Sequence, residues 1–315
     1  MGDELRLNRP ANPVVAILGP TAIGKSRLAM QIAERLPVEI ISVDSRQIYR
    51  HLSIGTAKPT PDEQRRVPHH LIDILEPDES YSVARFVEDA DSALHDIAQR
   101  GRIALLVGGT GYYATALLQG RRFPHVPWNE ARRARLEAEV QSSPEAALER
   151  IRGLDPETAA RIDAANCRRL VRALEILEHT GRPIDSVAGS AVPALVLSLE
   201  LDRGRLYARA DQRCEQQFSE GLVEETRSVL QMGFLPTLPV LRGLAYGQAI
   251  AHLEGSLTRV EAIHRYQLAT HHLIRRQETW FRHQLKPFRL DAGSPSLLNN
   301  TLRLIDEHLK GPGGP

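Results

Sequence analysis

An apolar, β-branched run containing Val14, Val15 and Ile17 leads into Gly19-Pro-Thr-Ala-Ile-Gly-Lys-Ser26. The G-x-x-x-x-G-K-S spacing, set between a strand and a helix, is that of a phosphate-binding P-loop, a pattern shared with ATP-binding proteins. Gly19 and Gly24 let the backbone turn tightly. Pro20, Thr21, Ala22 and Ile23 complete a loop whose N–H groups point inward. The helix beginning near Lys25 aims the positive end of its dipole at the same spot. Lys25 adds a mobile positive charge, and the Ser26 hydroxyl is placed to ligate Mg²⁺ on a bound di- or triphosphate. The plain alternative is a strand-turn-helix corner with incidental glycines, and the fit of the motif to its required context argues against it. The motif leaves open which phosphate compound binds and what chemistry follows.

Other residues converge on the same place. A second buried run, Glu39-Ile-Ile-Ser-Val-Asp44, delivers Asp-Ser-Arg-Gln-Ile-Tyr (44–49) to the carboxyl end of a strand, where ligands bind in open α/β sheets. Asp44 reads equally as a helix cap or indirect Mg²⁺ ligand and as a general base. A third buried run, Arg102 to Val107, enters a second glycine turn, Gly108-Gly-Thr-Gly-Tyr-Tyr113. There the Thr110 hydroxyl can reach the same anion, although Gly-Gly-Thr turns also serve as caps. Arg209 and Arg213, four residues apart on one helix, form either a phosphate clamp or two surface ion pairs. The adjacent His69 and His70 point to opposite faces of a short strand and lack a completing Cys or acidic cluster, so they read as packing or hydrogen-bonding residues.

The elements that must position these residues form an α/β arrangement. Strand, helix and strand alternate through residue 121, with an amphipathic helix from Ser82 to Gln99 and a short strand within Val67 to Ile74. From 122 to 191 the punctuation is that of short helices: Asn129, Ser143-Pro144, Asp155-Pro156 and Asn166 as starts, Gly153 and Gly181 as stops. On the last of them Leu170, Ala173, Leu174 and Leu177 make a buried stripe, and Arg168, Arg169 and Arg172 lie elsewhere, where ion pairing with acids such as Glu175 is the ordinary reading. Strand character returns from Val192 to Leu201, and the remainder reads as helical: Arg205 to Met232, a helix begun near Leu241, and one opened by the capping box Thr258-Arg-Val-Glu261 and running towards Phe288. That last helix sets Val260, Ile263, Ile274, Phe281 and Leu285 against Arg265, His271, His272, Arg275, Arg276, Arg282, His283 and Lys286 on its other side. Between Arg259 and Arg289 seven basic residues meet two acidic ones, a footprint suited to an RNA backbone. Trp280 and Phe281 read as core, and the Lys310 to Pro315 tail as disordered.

Composition bounds the class. Forty Lys and Arg against 39 Asp and Glu leave a formal charge of +1, so any nucleic-acid contact must come from local patches. No apolar run approaches the roughly 18 residues of a spanning helix, and the charged start is unlike a signal peptide. Two cysteines, Cys167 and Cys214, form neither a disulfide framework nor a zinc site. A cytoplasmic protein is the expectation.

The ordered blocks resemble the bacterial tRNA dimethylallyltransferases, also called tRNA isopentenyltransferases. The resemblance rests on Gly19 to Ser26, Asp44 to Tyr49, Ile54-Gly-Thr-Ala-Lys-Pro59, Val67 to Ile74, Val107 to Thr110, Asn166 to Glu175 and Arg275-Arg-Gln-Glu-Thr-Trp-Phe-Arg282. It implies a P-loop NTPase-like parallel sheet flanked by helices (10–121 and 192–308), with an all-helical, tRNA-contacting insertion at 122–191 and a helical C-terminal part. It also implies Mg²⁺-assisted transfer of a dimethylallyl group from dimethylallyl diphosphate to the exocyclic amine of the adenine just 3′ of the anticodon, by a monomer. Asp44 is then the base, and Lys25, Thr110, Arg209 and Arg213 stabilise the leaving diphosphate. Contacts to tRNA fall on Asp44, Ser45, Arg46 and Gln47, on Thr110, on Arg168, Arg169, Leu170, Val171 and Arg172, on Arg242, Gly243, Leu244, Ala245, Tyr246 and Gly247, and on Arg132. Arg275 and Arg276 are added on charge alone. His271 and Gly247 stand where many members of the family carry basic residues.

A P-loop kinase would use the same loop for ATP. An RNA-binding module without chemistry would tolerate loss of Asp44. An adenylate prenyltransferase would act on a free nucleotide, which needs no helical insertion.

Overall fold

A computed structural model describes residues 13–124, 126–127, 129–184 and 189–310. The chain opens with β1 (Val14–Leu18), α1 (Lys25–Ala33), β2 (Val38–Val43), α2 (Pro61–Arg66), β3 (His69–His70), α3 (Val83–Gln99), β4 (Ile103–Gly108) and α4 (Gly111–Leu118). Four helices follow, α5 (Glu130–Ser142), α6 (Pro144–Leu154), α7 (Pro156–Ala159) and α8 (Cys167–Thr180). The chain then runs through β5 (Ala194–Glu200), α9 (Arg203–Ser219), α10 (Leu222–Gln231), α11 (Leu244–Leu253), α12 (Arg259–Gln284), β6 (Phe288–Asp291) and α13 (Leu297–Lys310). The strands make one parallel sheet in the order β3-β2-β4-β1-β5-β6.

A parallel sheet needs both faces covered, and the alternation of side chains along each strand supplies two cores. Val14, Ala16 and Leu18 pack with Phe86, Ala90 and Leu117 on one face. Val15 and Ile17 pack with Leu28, Ile32, Leu206 and Ile305 on the other. A third cluster centres on Tyr246 and the helices α9 to α12. The fourth draws its buried residues from Leu136 to Leu177 alone, so α5 to α8 enclose a core of their own. The chain leaves for these helices and returns from them at neighbouring points: Gly189 N–H donates to the Gly120 carbonyl at 2.9 Å, and Val192 N–H to the Leu118 carbonyl at 3.0 Å.

Register decides what this scaffold can present. Gly108 lies beside Leu18 on one side and Val43 on the other, and Leu18 lies beside Ser198. Strands β1, β2 and β4 therefore finish in one row, and the loops that follow them open at the same edge.

Several expectations need correction. The strand within Val67 to Ile74 contracts to His69 and His70, because Leu71 and Asp73 take left-handed backbone conformations (φ 62° and 55°) that end pairing. Arg205 to Met232 is two helices, broken at Gly221 (φ 106°). Gly153 lies inside α6, which ends where Asp155 turns extended. The C-terminal part is not wholly helical. Phe288–Asp291 adds an edge strand to β5, with Arg289 paired to Glu200 at 3.0 Å. On α12 the buried residues are Ala262, Tyr266, Thr270, Ile274 and Phe281, whereas Val260 is 77% exposed. Lys310 closes α13 and pairs with Asp306; residues 311–315 of the expected disordered tail lie outside the described residues.

This face assignment is testable on one helix. Ile274→Ala removes a fully buried side chain and should cost about 2–5 kcal/mol in urea unfolding, whereas Val260→Ala should stay within about 0.5 kcal/mol.

Candidate active site

The row of strand ends opens into a crevice of about 730 Å³, large enough for a small-molecule ligand with part of a second. Its floor is the loop after β1. Gly19 and Gly24 both hold positive φ (144° and 105°), which only glycine adopts without strain, and Gly24 sits directly before α1. Neither α1 nor α4 receives a side-chain cap at its N-terminus, whereas α2, α3, α5 to α9 and α12 all do. The first turns of both uncapped helices line this one crevice, and uncapped first-turn N–H groups are suited to an anion. The glycine-started α10 and α11 are uncapped too, and the first residue of α11, Leu244, lines the crevice.

Two cations complete the cradle. Lys25 Nζ donates to the Pro20 carbonyl at 2.7 Å. Burial of the ammonium, then the nearby Arg213, pull its pKa down to about 7, with Asp44 pulling the other way. Arg213, on α9, donates from Nη2 to Thr21 Oγ1 at 2.5 Å. Its Nε is buried and finds no partner among the described residues. Arg209 is exposed and does not line the crevice, so the expected pair of arginines reduces to Arg213. Ser26 lines the crevice with its side chain accessible.

Asp44 stands at the end of β2, on the rim. Its Oδ1 accepts the Arg46 N–H at 2.9 Å, so it does close a local turn. Thr110 locks that turn to the second glycine loop: its N–H donates to the Val43 carbonyl, and its Oγ1 accepts the Ser45 N–H at 3.1 Å. Gln47 is held between the Ser42 hydroxyl and the carbonyls of Thr56 and Ala57, and Arg46 Nη1 reaches the carbonyls of Val240 and Gly243 at 3.4 Å.

The Ile54-Gly-Thr-Ala-Lys-Pro59 block now has a physical role. Glu225 accepts the N–H groups of Ser53, Ile54 and Gly55 and the Tyr246 hydroxyl. A side chain at Gly55 would strike the Tyr246 ring at 2.5 Å. Lys58, with its side chain 2% exposed, donates to the Tyr49 carbonyl and to Asp73 Oδ1. These contacts fix the 44–59 segment against the rest of the molecule. His69 and His70 bond to the Val67 carbonyl and to Glu39, as hydrogen-bonding residues rather than ligands.

The residues expected at the RNA divide. Arg168, Arg169 and Arg172 are exposed on α8, Arg172 with an ion pair to Glu175 at 3.2 Å, and Arg132 is half-buried; none of the four lines the crevice. Leu170 and Val171 are 0% and 3% exposed in the core of the insertion, so their side chains cannot meet a partner. Ala245 and Tyr246 are likewise buried; Leu244 lines the crevice, and Arg242 is exposed outside it. Gly247 packs against the Arg242 carbonyl, which an added Cβ would meet at 2.6 Å. Arg276 reaches the crevice and Arg275 does not. His271 is turned inward, bonded to Asp211 at 2.7 Å and stacked on Tyr207 at 3.9 Å, so it leaves the basic face on which it was expected.

The site also contains residues not expected there. Tyr266, Thr270, Leu273, Gln277 and Trp280 line the crevice from one stripe of α12. Their alternating spacing of four and three residues was available in the sequence as a helical face.

Comparison with known proteins follows the same outline. The family described as IPP transferase matches residues 47–284, and that described as isopentenyl transferase matches 12–73. The chain is 43% identical over 297 residues to the tRNA dimethylallyltransferase of Roseiflexus castenholzii, covering 93% of this chain and 97% of the relative. Its structure resembles that of the full-length tRNA isopentenylpyrophosphate transferase of Bacillus halodurans, with a TM-score of 0.69, 35% identity and coverage of 95% and 98%. It also resembles a eukaryotic dimethylallyltransferase acting on tRNA, with a TM-score of 0.80, 26% identity and coverage of 95% and 79%. A P-loop sheet carrying both glycine turns, matched over nearly its whole length by such relatives, belongs to the IPP transferase family.

Proposed function

We propose that this protein transfers a dimethylallyl group from dimethylallyl diphosphate to the exocyclic N6 amine of the adenine just 3′ of a tRNA anticodon. What carries the reading is one juxtaposition: a carboxylate, Asp44, on the rim of an anion cradle lined by Lys25, Arg213 and two uncapped helix N-termini. Relatives named for tRNA and for a dimethylallyl group support the same acceptor and the same transferred group.

The chemistry follows from the charges. As the bond between the allylic carbon and the diphosphate oxygen breaks, negative charge grows on that oxygen, where Lys25, Arg213 and the helix N–H groups stabilise it. The adenine amine is a weak nucleophile because its lone pair is delocalised into the ring. It bonds to the same carbon while its proton passes to Asp44, whose orientation is held by the Arg46 N–H and, through Ser45, by Thr110. Ser26 would hold Mg²⁺ together with diphosphate oxygens. The donor set fits: an accessible hydroxyl lining the crevice directly after Lys25 is the hard oxygen ligand that a phosphate-bound Mg²⁺ takes from a loop of this spacing. When bound, the ion neutralises charge on the leaving group.

The target base must be turned out of its loop into the crevice, an expense met by backbone contacts elsewhere. The exposed arginines of α8 suit those contacts, with segment 122–191 acting as the tRNA-contacting domain between the two parts of the core, 10–121 and 192–308. The reading takes the protein as a cytoplasmic monomer; no described helix is long and apolar enough to cross a membrane.

With labelled dimethylallyl diphosphate, Mg²⁺ and an unmodified anticodon stem-loop, the protein should label the RNA. Asp44→Asn should lower turnover about 10²-fold or more with tRNA affinity kept. Near-normal turnover would remove Asp44 from the role of base. Arg168→Ala with Arg172→Ala should weaken tRNA binding and reduce its salt slope by about two; an unchanged slope counts against phosphate contact.

Lys25 supplies a pH signature. With its pKa near 7 in the free protein, binding of a diphosphate, which favours the charged ammonium, takes up a proton above that pH. The affinity ratio of wild type to Lys25→Met, which cancels the ligand's own ionisation, should fall by up to about tenfold per pH unit from 7 to 9. A lysine of ordinary pKa would leave that ratio flat.

A further inference from the structure

Helix α12 crosses the mouth of the crevice, and one residue on it holds both glycine loops at once. Gln277 Oε1 accepts the Thr21 N–H at 2.9 Å, and Gln277 Nε2 donates to the Gly109 carbonyl at 2.8 Å. Only one orientation of the amide serves both partners, since one is a donor and the other an acceptor. The fit is close on both sides. A Cβ at Gly109 would lie 2.4 Å from Gln277 Nε2. Trp280, one turn on, covers Gly111 and donates to Thr115 Oγ1 at 3.0 Å, pinning the helix where Gln277 needs it.

The consequence concerns the length of the anion. Inward-pointing donors of this loop run from Thr21 to the first turn of α1. At the upstream end Gln277 already occupies the Thr21 N–H, and Arg213 lies against the Thr21 hydroxyl, donating to its oxygen. At the downstream end the α1 N-terminus carries no side-chain cap, and Gly24, Lys25 and Ser26 there line the crevice. The cradle is satisfied by the protein at one end and open at the other.

We propose that Gln277 is a specificity-determining residue that limits the cradle to two phosphoryl groups. A third group laid along the loop towards Thr21 has to displace the amide from Thr21 and Gly109, leaving both of its polar atoms without partners in a partly buried site. A diphosphate makes no such demand. This rests on the diphosphate reading of the cradle and adds what excludes the triphosphates that loops of the same spacing hold elsewhere.

The test uses inorganic diphosphate and inorganic tripolyphosphate as probes, titrated calorimetrically with equal Mg²⁺ into the full chain. In Gln277→Ala the affinity for tripolyphosphate relative to diphosphate should rise at least about tenfold. Gln277→Met, which keeps the side-chain volume and removes both hydrogen bonds, should shift the ratio the same way and covers the case in which alanine loosens the helix. A purely structural role for Gln277 would lower both affinities together. An unchanged ratio in both variants, with the wild type binding diphosphate, overturns the role of Gln277 and leaves the cradle reading standing. A wild-type chain that binds neither anion overturns the cradle reading, and this proposal with it.

Discussion

Positive charge stripped of water and left without a full internal counter-ion governs this structure. Lys25 is driven towards neutrality by burial and by Arg213, and the Arg213 guanidinium keeps a buried N–H without a partner among the described residues. Asp44 offsets only part of this, and one of its oxygens already serves the Arg46 N–H. Desolvated like charges oppose folding, so the protein holds an electrostatic cost that an anion seated between them would relieve. The sheet register that ends β1, β2 and β4 in one row, and the two helices begun without caps, make sense as the frame for that tension.

Holding such a frame needs rigidity around it, and polar side chains supply much of it. Glu225 gathers three successive N–H groups, Lys58 is buried between a carbonyl and Asp73, Gln47 ties the end of β2 to the nearby 56–57 turn, and Gln277 bridges two loops distant in sequence. The backbone shows the same over-determination. Ala22, Ala57 and Leu244 line the crevice in left-handed conformations that non-glycine residues rarely adopt, and such strain persists only where neighbours leave no alternative.

The parts of this arrangement written in local chemistry could be read from the chain alone. The G-x-x-x-x-G-K-S run, the buried β-branched strands, the caps at Asn129, Ser143, Asp155 and Asn166, and the Thr258 capping box all appear where their residue types require. What escaped was set by tertiary context. β6 is four residues, Phe-Arg-Leu-Asp, whose strand state depends on lying beside β5. Val260 looks apolar and is solvated, because the face of α12 that is buried is decided by what it packs against. Arg209 and Arg213 are indistinguishable by spacing, yet α9 turns only one of them to the crevice. Gln277 carries no charge and belongs to no short motif of its own, and its role exists only through two loops more than a hundred residues away.

The placement of β5 bears on how the molecule is made. β1 is an interior strand, but one of its edges stays bare until residues 194–200 have been synthesised, after the whole of α5 to α8. An unpaired apolar edge is a template for wrong partners. Because those four helices enclose a core by themselves and their two ends meet at Gly120 and Gly189, their early collapse turns a long connection into a short one. The entropy of closing the gap between β4 and β5 then falls on a compact unit rather than on a loose chain. A segment that packs on itself and ends where it began keeps β4 and β5 within one short span of each other, however many residues lie between them.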